Sequence, residues 1–212
     1  MGSVTRKPRR TKRYHHGDLP RALLDAALRI VETQGTEALT LRAAARLAGV
    51  SQAAPYRHFT NKEAILAAVT EEGFRSLMAT IRHDMSAGEG PLGRLRGVGT
   101  GYVAFATKHP SHFRVMFGRE MADRSASPSL RRLATETLNL LVEAIADCQR
   151  AGLVRADEPA ADLALIAWSS VHGLSALLIE GVLDRPAHEV AEMVTRDLFL
   201  GLGPRGVSAR PE

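Results

Sequence analysis

Three residues, Gly49-Val50-Ser51, separate two short helical patterns, and no other feature restricts the fold of this chain so tightly. Upstream, Thr40 is placed to cap a helix whose apolar stripe is Leu41, Ala45 and Ala48. Downstream, Ser51 is placed to cap another. Two helices joined by so short a turn cross steeply and pack on each other, with the glycine stopping the first and the valine pinning the turn. Pro55 lies inside the second pattern, where it removes an amide and crowds the carbonyl four residues back. A helix that begins at Ser51 or Gln52 tolerates it, because first-turn amides largely lack intrahelical partners. A short, regular third helix from Ser51 or Gln52 is therefore expected.

Helical spacing continues on both sides. Asp18 caps a first helix, with Pro20 in its opening turn, Leu19, Leu23, Ala27, Ile30 and Val31 at helical intervals, and Gly35 as its stop. Thr60-Asn61-Lys62-Glu63 reads as a capping box. It opens a long helix to about Met85, with Leu66, Val69, Leu77 and Ile81 on one side. A turn-rich break, Ser86–Pro91, precedes helices expected at about 92–108, 110–117, 127–151, 158–182 and 187–202. No strand-like alternation persists, and aromatics are only 5% of residues. The expected fold is all-α: an N-terminal helix-turn-helix three-helix domain joined by a long helix to a second helical domain. The expected divisions are a flexible basic arm over 1–17, a helix-turn-helix domain over 18–64, a helical domain over 65–202 and a frayed tail over 203–212.

Charge is divided unevenly. Residues 1–62 carry 12 Lys/Arg against 4 Asp/Glu, and the remaining 150 residues carry 16 against 19. The basic end calls for a polyanion partner, and Arg42, Arg46, Arg57 and Lys62 bring that charge into structured sequence. The single cysteine, Cys148, excludes a disulfide within the chain and fits a reducing, cytoplasmic setting. Residues 1–17 are basic but nearly free of apolar side chains, which argues against a targeting helix. No apolar run is read as reaching the length of a membrane span.

The unit around Gly49 presents the N-terminal half of its second helix to the DNA major groove. Gln52, Ala53, Ala54 and Arg57 would face bases there: glutamine pairs with adenine, arginine with guanine, and alanine methyls meet thymine methyls. Tyr56, His58 and Lys62 would reach phosphates, helped by the positive end of the next helix.

The stretch from about Arg21 to Val69 resembles the DNA-binding domain of the TetR family of bacterial one-component regulators. Its matching core is GVS followed by Tyr56, His58-Phe59, Asn61-Lys62-Glu63 and an apolar run. The resemblance implies that Tyr56 and Lys62 contact the DNA backbone and that Gln52 and Arg57 face bases. It gives Thr40 a phosphate contact and Arg42 a base contact. Pro55 departs from the family pattern, where leucine is common before the tyrosine.

In the C-terminal half, His109–Phe117 and Trp168–Leu174 are similar to the subgroup named for a Trp-His-Gly signature, here Trp168, His172 and Gly173. That similarity implies a helical sensor domain that binds a small-molecule effector and dimerises through its last two long helices. Leu163, Ile166, Leu174, Leu177, Leu178, Val190, Val194 and Leu198 are the candidates for the dimer surface. Gly173, which costs a helix about 1 kcal/mol relative to alanine, is expected to serve close helix approach. Phe105, His109, Phe113, Met116, Phe117, Trp168 and His172 are the candidate pocket residues, suited to an apolar or amphipathic effector.

Other chemistry finds no support. Gly97–Gly101 follows no strand and precedes no Lys-Ser/Thr, so it is no phosphate loop. His15-His16 lacks companion ligands, Cys148 lacks a base, and no catalytic triad, metal site or cofactor site is expected. Three classes remain: a dimeric repressor that binds a palindromic operator and is released by a small molecule, a helical enzyme or carrier without DNA recognition, and a non-specific DNA-binding architectural protein.

Overall fold

A computed structural model describes residues 18–119 and 127–201 of the chain. The expected arm (1–17) and tail (203–212) lie outside the described residues. Among those residues all regular structure is helical: α1 (Leu19–Gln34), α2 (Leu41–Ala48), α3 (Lys62–Ala87), α4 (Gly90–Lys108), α5 (Pro110–Phe117), α6 (Pro128–Arg150), α7 (Ala160–Ile179) and α8 (Ala187–Gly201). Short 3₁₀ turns occupy Thr36–Ala38 and Ala54–Arg57. Contacts divide the chain into one unit up to Ile65 and a second from Leu66.

In the first unit, the Asp18 carboxylate accepts from the Arg21 amide at 3.0 Å, and Thr40 Oγ1 accepts from the Ala43 amide at 3.0 Å. Each supplies a partner to an amide at a helix start. Leu23, Ala26, Ala27, Ile30 and Val31 of α1 are buried, as are Leu41, Ala44 and Ala45 of α2. The small alanines let α1 and α2 pack closely. Gly49 ends α2 in the left-handed region at φ 71°, a conformation that costs glycine little.

Two local expectations need correction here. The third helix does not start at Ser51 or Gln52 and is not α-helical: it is one 3₁₀ turn, Ala54–Arg57, with Ala53 at the cap position. Pro55 has no amide to give the Ser51 carbonyl, and that carbonyl instead accepts from the Ala54 amide at 3.0 Å. The shorter three-residue loop that results is the 3₁₀ pattern. The cap of α3 also differs from the expected box at Thr60. Asn61 Oδ1 accepts from the Ala64 amide at 2.9 Å, so the cap is one residue further on and Glu63 is not positioned to complete a box.

In the second unit, α4 packs against α6, α7 and α8. Its core includes Leu77, Ile81, Leu95, Phe105, Met116, Ile145 and Leu163, each at most 1% exposed. The glycines of α4 make this possible. A Cβ on Gly97 would stand 2.6 Å from the Asp84 backbone, and one on Gly101 would stand 2.9 Å from Ile81 Cα. A Cβ on Gly93 would likewise meet the Gly88 backbone at 2.9 Å. The stretch once comparable to a phosphate loop is therefore a helical seam where the backbones of α3 and α4 touch.

The dimer-surface candidates separate. Leu163, Leu174 and Val190 are buried in the chain's own core, and Leu178, Val194 and Leu198 pack against it. Ile166 and Leu177 are exposed, together with Leu165, which the sequence reading did not include. Gly173 is exposed, and a Cβ there would meet nothing within 4 Å, so close helix approach within the chain does not explain it. The membrane expectation also changes in one respect: α7, with a mean hydropathy of 1.5 over its apolar window, is long and apolar enough to cross a membrane by length and composition. Here its inward face, Leu163, Ala164, Ala167, Val171 and Leu174, is buried.

Candidate nucleic-acid interface and ligand cavity

Between Glu37 and Glu63 the chain contains no acid and four cations, Arg42, Arg46, Arg57 and Lys62. The fold turns this stretch outward. Arg42 and Arg46 are exposed on α2, away from its buried Leu41, Ala44 and Ala45. Pro55 and Phe59 are buried and hold the 3₁₀ turn to the unit, while Tyr56 (53% exposed), Arg57 and His58 face solvent. In a 3₁₀ turn, residues three apart eclipse, so Ala54 and Arg57 share one side. Gln52 and Ala53 are exposed in the turn before it.

The candidate base-facing residues Arg42, Gln52, Ala53 and Arg57 are therefore all exposed, and Ala54 is half-buried. Gln52 and Arg57 do not share one α-helix. Among the candidate phosphate contacts, Thr40, Tyr56 and His58 are exposed and Lys62 is half-buried at the first residue of α3. Thr40's cap bond uses an oxygen lone pair, so its hydroxyl proton is still available to donate.

The second unit contains a cavity of about 220 Å³ among α3, α4, the end of α5, α6, α7 and α8. Phe74, Leu77, Ile81, Val98, Leu141, Val171 and Phe199 contribute apolar walls. Of the seven candidate pocket residues, Phe117 and Trp168 line it. Phe105, Phe113 and Met116 are buried core side chains away from its wall, because their positions on α4 and α5 turn them between helices. His109 caps the end of α4, with its ring 5.2 Å from Phe105. Burial, followed by the neighbouring Lys108 charge, lowers its pKa, with Glu72 opposing.

His172 stands behind the wall, linked to it by Tyr102. Trp168 Nε1 donates to Tyr102 Oη at 3.3 Å, and the same oxygen lies 2.8 Å from His172 Nδ1. The His172 ring packs 4.7 Å from Phe117 and 5.0 Å from Phe113. The Trp-His pair of the signature thus fixes one tyrosine. Tyr102, Leu141, Thr195 and Phe199 are wall residues that sequence reasoning missed. The available signal was the α4 stripe Leu95, Val98 and Tyr102, which repeats at helical spacing.

A turn-linked pair of short helical elements with an outward basic face, followed by a helical unit around an apolar cavity, defines the class of bacterial DNA-binding regulators. Family comparison matches residues 23–69 to the bacterial regulatory proteins of the tetR family and residues 95–198 to the tetracyclin repressor-like C-terminal domain. The chain belongs to the TetR family. A protein of unknown function from Rhodococcus sp. RHA1 is 32% identical, with 91% of this chain and 100% of that chain covered and a TM-score of 0.78. The HTH-type transcriptional regulator BetI of Rhizobium meliloti (strain 1021) is 45% identical over 67 residues, which are 32% of this chain and 31% of BetI. The chain thus spans under a third of that curated relative in the match. The FadR regulator of Bacillus subtilis, solved in complex with stearoyl-CoA, shares the fold at 15% identity, with a TM-score of 0.74 and coverage of 85% of this chain and 98% of that one.

Proposed function

We propose that this protein is a transcriptional repressor that binds a palindromic operator as a homodimer and is released by a small apolar or amphipathic effector. The observation that carries this reading is the acid-free stretch from Thr40 to Lys62, with its arginines exposed, in the same chain as an apolar cavity. Arg42, Gln52, Ala53, Ala54 and Arg57 read bases, while Thr40, Tyr56, His58 and Lys62 hold phosphates. The dimer forms on the outer face of α7, where Leu165, Ile166 and Leu177 are exposed beside Ser169 and Gly173. Small residues there suit close approach by a second copy. An effector in the cavity favours the dimer state whose reading heads no longer match successive major grooves.

The FadR structure holds an acyl-CoA, and this likeness of fold supports an amphipathic effector here. A gel shift against DNA flanking the gene, at two salt concentrations, tests the reading. Lys62→Ala weakens binding to all sequences and lowers the salt slope by about one, whereas Arg57→Ala relaxes base preference by about 1–3 kcal/mol. Binding that ignores sequence, or no binding at low salt, would overturn the proposal.

A further inference from the structure

Five aromatic side chains converge on the cavity, one from each of five helices: Phe74 of α3, Tyr102 of α4, Phe117 of α5, Trp168 of α7 and Phe199 of α8. The whole sequence has only six Phe, three Tyr and one Trp, so half of its aromatic residues meet at this wall. Four of the rings share a hub. Phe117 stands 6.2 Å from Phe74, 6.5 Å from Tyr102 and 6.4 Å from Trp168, at interplanar angles of 74°, 46° and 50°. Inclined rings set edges beside faces, and a further ring is attracted to both. A cavity of roughly 150 Å³ accepts benzene. The volume of about 220 Å³ here has room for a two-ring molecule.

The polar groups narrow the guest further. Among the described residues, no Asp, Glu, Lys, Arg or His lines the cavity. The interior donors are committed: Thr137 Oγ1 donates to the Leu133 carbonyl and Thr195 Oγ1 to the Ala191 carbonyl, both at 2.7 Å. The Trp168 indole proton goes to Tyr102 Oη, and that oxygen is also engaged by His172 Nδ1. Thr135, the remaining lining hydroxyl, is exposed at the edge. A hydroxyl that donates keeps its lone pairs, so what Thr137 and Thr195 retain is acceptor capacity. An anion placed among these groups loses water without gaining a cation. A ligand carbonyl meets committed donors, whereas a ligand hydroxyl meets acceptors.

We propose that the cavity selects an uncharged aromatic molecule of about two rings whose polar group donates a hydrogen bond, a neutral phenol being the simplest form. The inference rests on the ligand-responsive reading above and specifies the ligand's ring character, charge and hydrogen-bonding sense.

The full chain is titrated at neutral pH with β-naphthol, decahydro-β-naphthol, methyl β-naphthyl ether and β-naphthoate, following heat and ligand-observed NMR. β-Naphthol should bind about ten-fold more tightly than its decahydro form, which keeps the skeleton and the hydroxyl but has no π system. It should bind about three-fold more tightly than the ether, which keeps the rings but has no donor. β-Naphthoate should bind roughly a hundred-fold more weakly than β-naphthol. Thr137→Val and Thr195→Val keep the side-chain shape, and at least one of them should abolish the preference for β-naphthol over the ether.

β-Naphthol no tighter than its decahydro form or its ether, β-naphthoate as tight as β-naphthol, a donor preference intact in both threonine variants, or no binding of any probe would overturn the inference. The operator assay separates it from the reading beneath it. Binding in the expected order without operator release upholds the inference and removes effector release. Operator release by another molecule, with that order absent, does the reverse.

Discussion

Asn61 shows how much a single side chain decides at the start of α3. Its Oδ1 takes the Ala64 amide, while Thr60 Oγ1 only reaches Asn61 Oδ1 at 3.5 Å. Asn61→Ala should therefore cost about 1 kcal/mol in urea unfolding, and Thr60→Val a few tenths at most. The reverse order would restore the capping box. His109 gives a pH dependence with a definite sign. Its folded pKa lies below the usual histidine value, so the unfolded chain binds more protons in the window just below about 6.5. The stability linked to its neutral ring is present above that window and is lost as pH falls through it. Melting temperature measured from pH 7.5 downward should fall less steeply in His109→Gln than in the parent. Identical slopes would place the acid sensitivity elsewhere.

At the scale of elements, the reader turn is where local rules and outcome part. An amide at position 55 would compete for the Ser51 carbonyl, which now accepts from Ala54. Pro55→Ala should extend α-helix back toward Gln52, with an amide at 55 that is slow in hydrogen exchange. A fast-exchanging amide there would mean that something other than proline shortens the element. Most of the other elements were legible because caps and stops act over three or four residues: Asp18, Thr40, Gly35 and Gly49 all perform their expected local tasks. The cavity was legible only in part. A phenylalanine at helical spacing reads the same whether it faces a void, as Phe117 does, or the packed core, as Phe105 does. That distinction depends on the angle between helices far apart in sequence. For the same reason Leu163 and Leu165 could not be assigned to core and surface until α7 was seen packed.

For the whole molecule, the proposed dimer depends on the outer face of α7. Leu165 is 58% exposed, Ile166 44% and Leu177 43%. Apolar side chains exposed together on one helix mark an interaction surface. In the dimer proposed above, Ile166→Glu would bring like charges together across the twofold axis and should shift sedimentation toward the monomer, with operator affinity falling at the same time. Because the residue is exposed, the melting temperature should move little. A dimer that persists unchanged would locate the symmetry axis on another face.

The seam between α3 and α4 sets a rule for how the second unit can transmit strain. Gly97 and Gly101 are each lodged against α3 backbone, and Gly93 lies against Gly88 in the short connection, so the two helices are locked edge to edge. Sliding by a fraction of a turn drives main chain into main chain. With only Gly88 and Glu89 joining them, the two helices are left with one mode: to travel as a single plate.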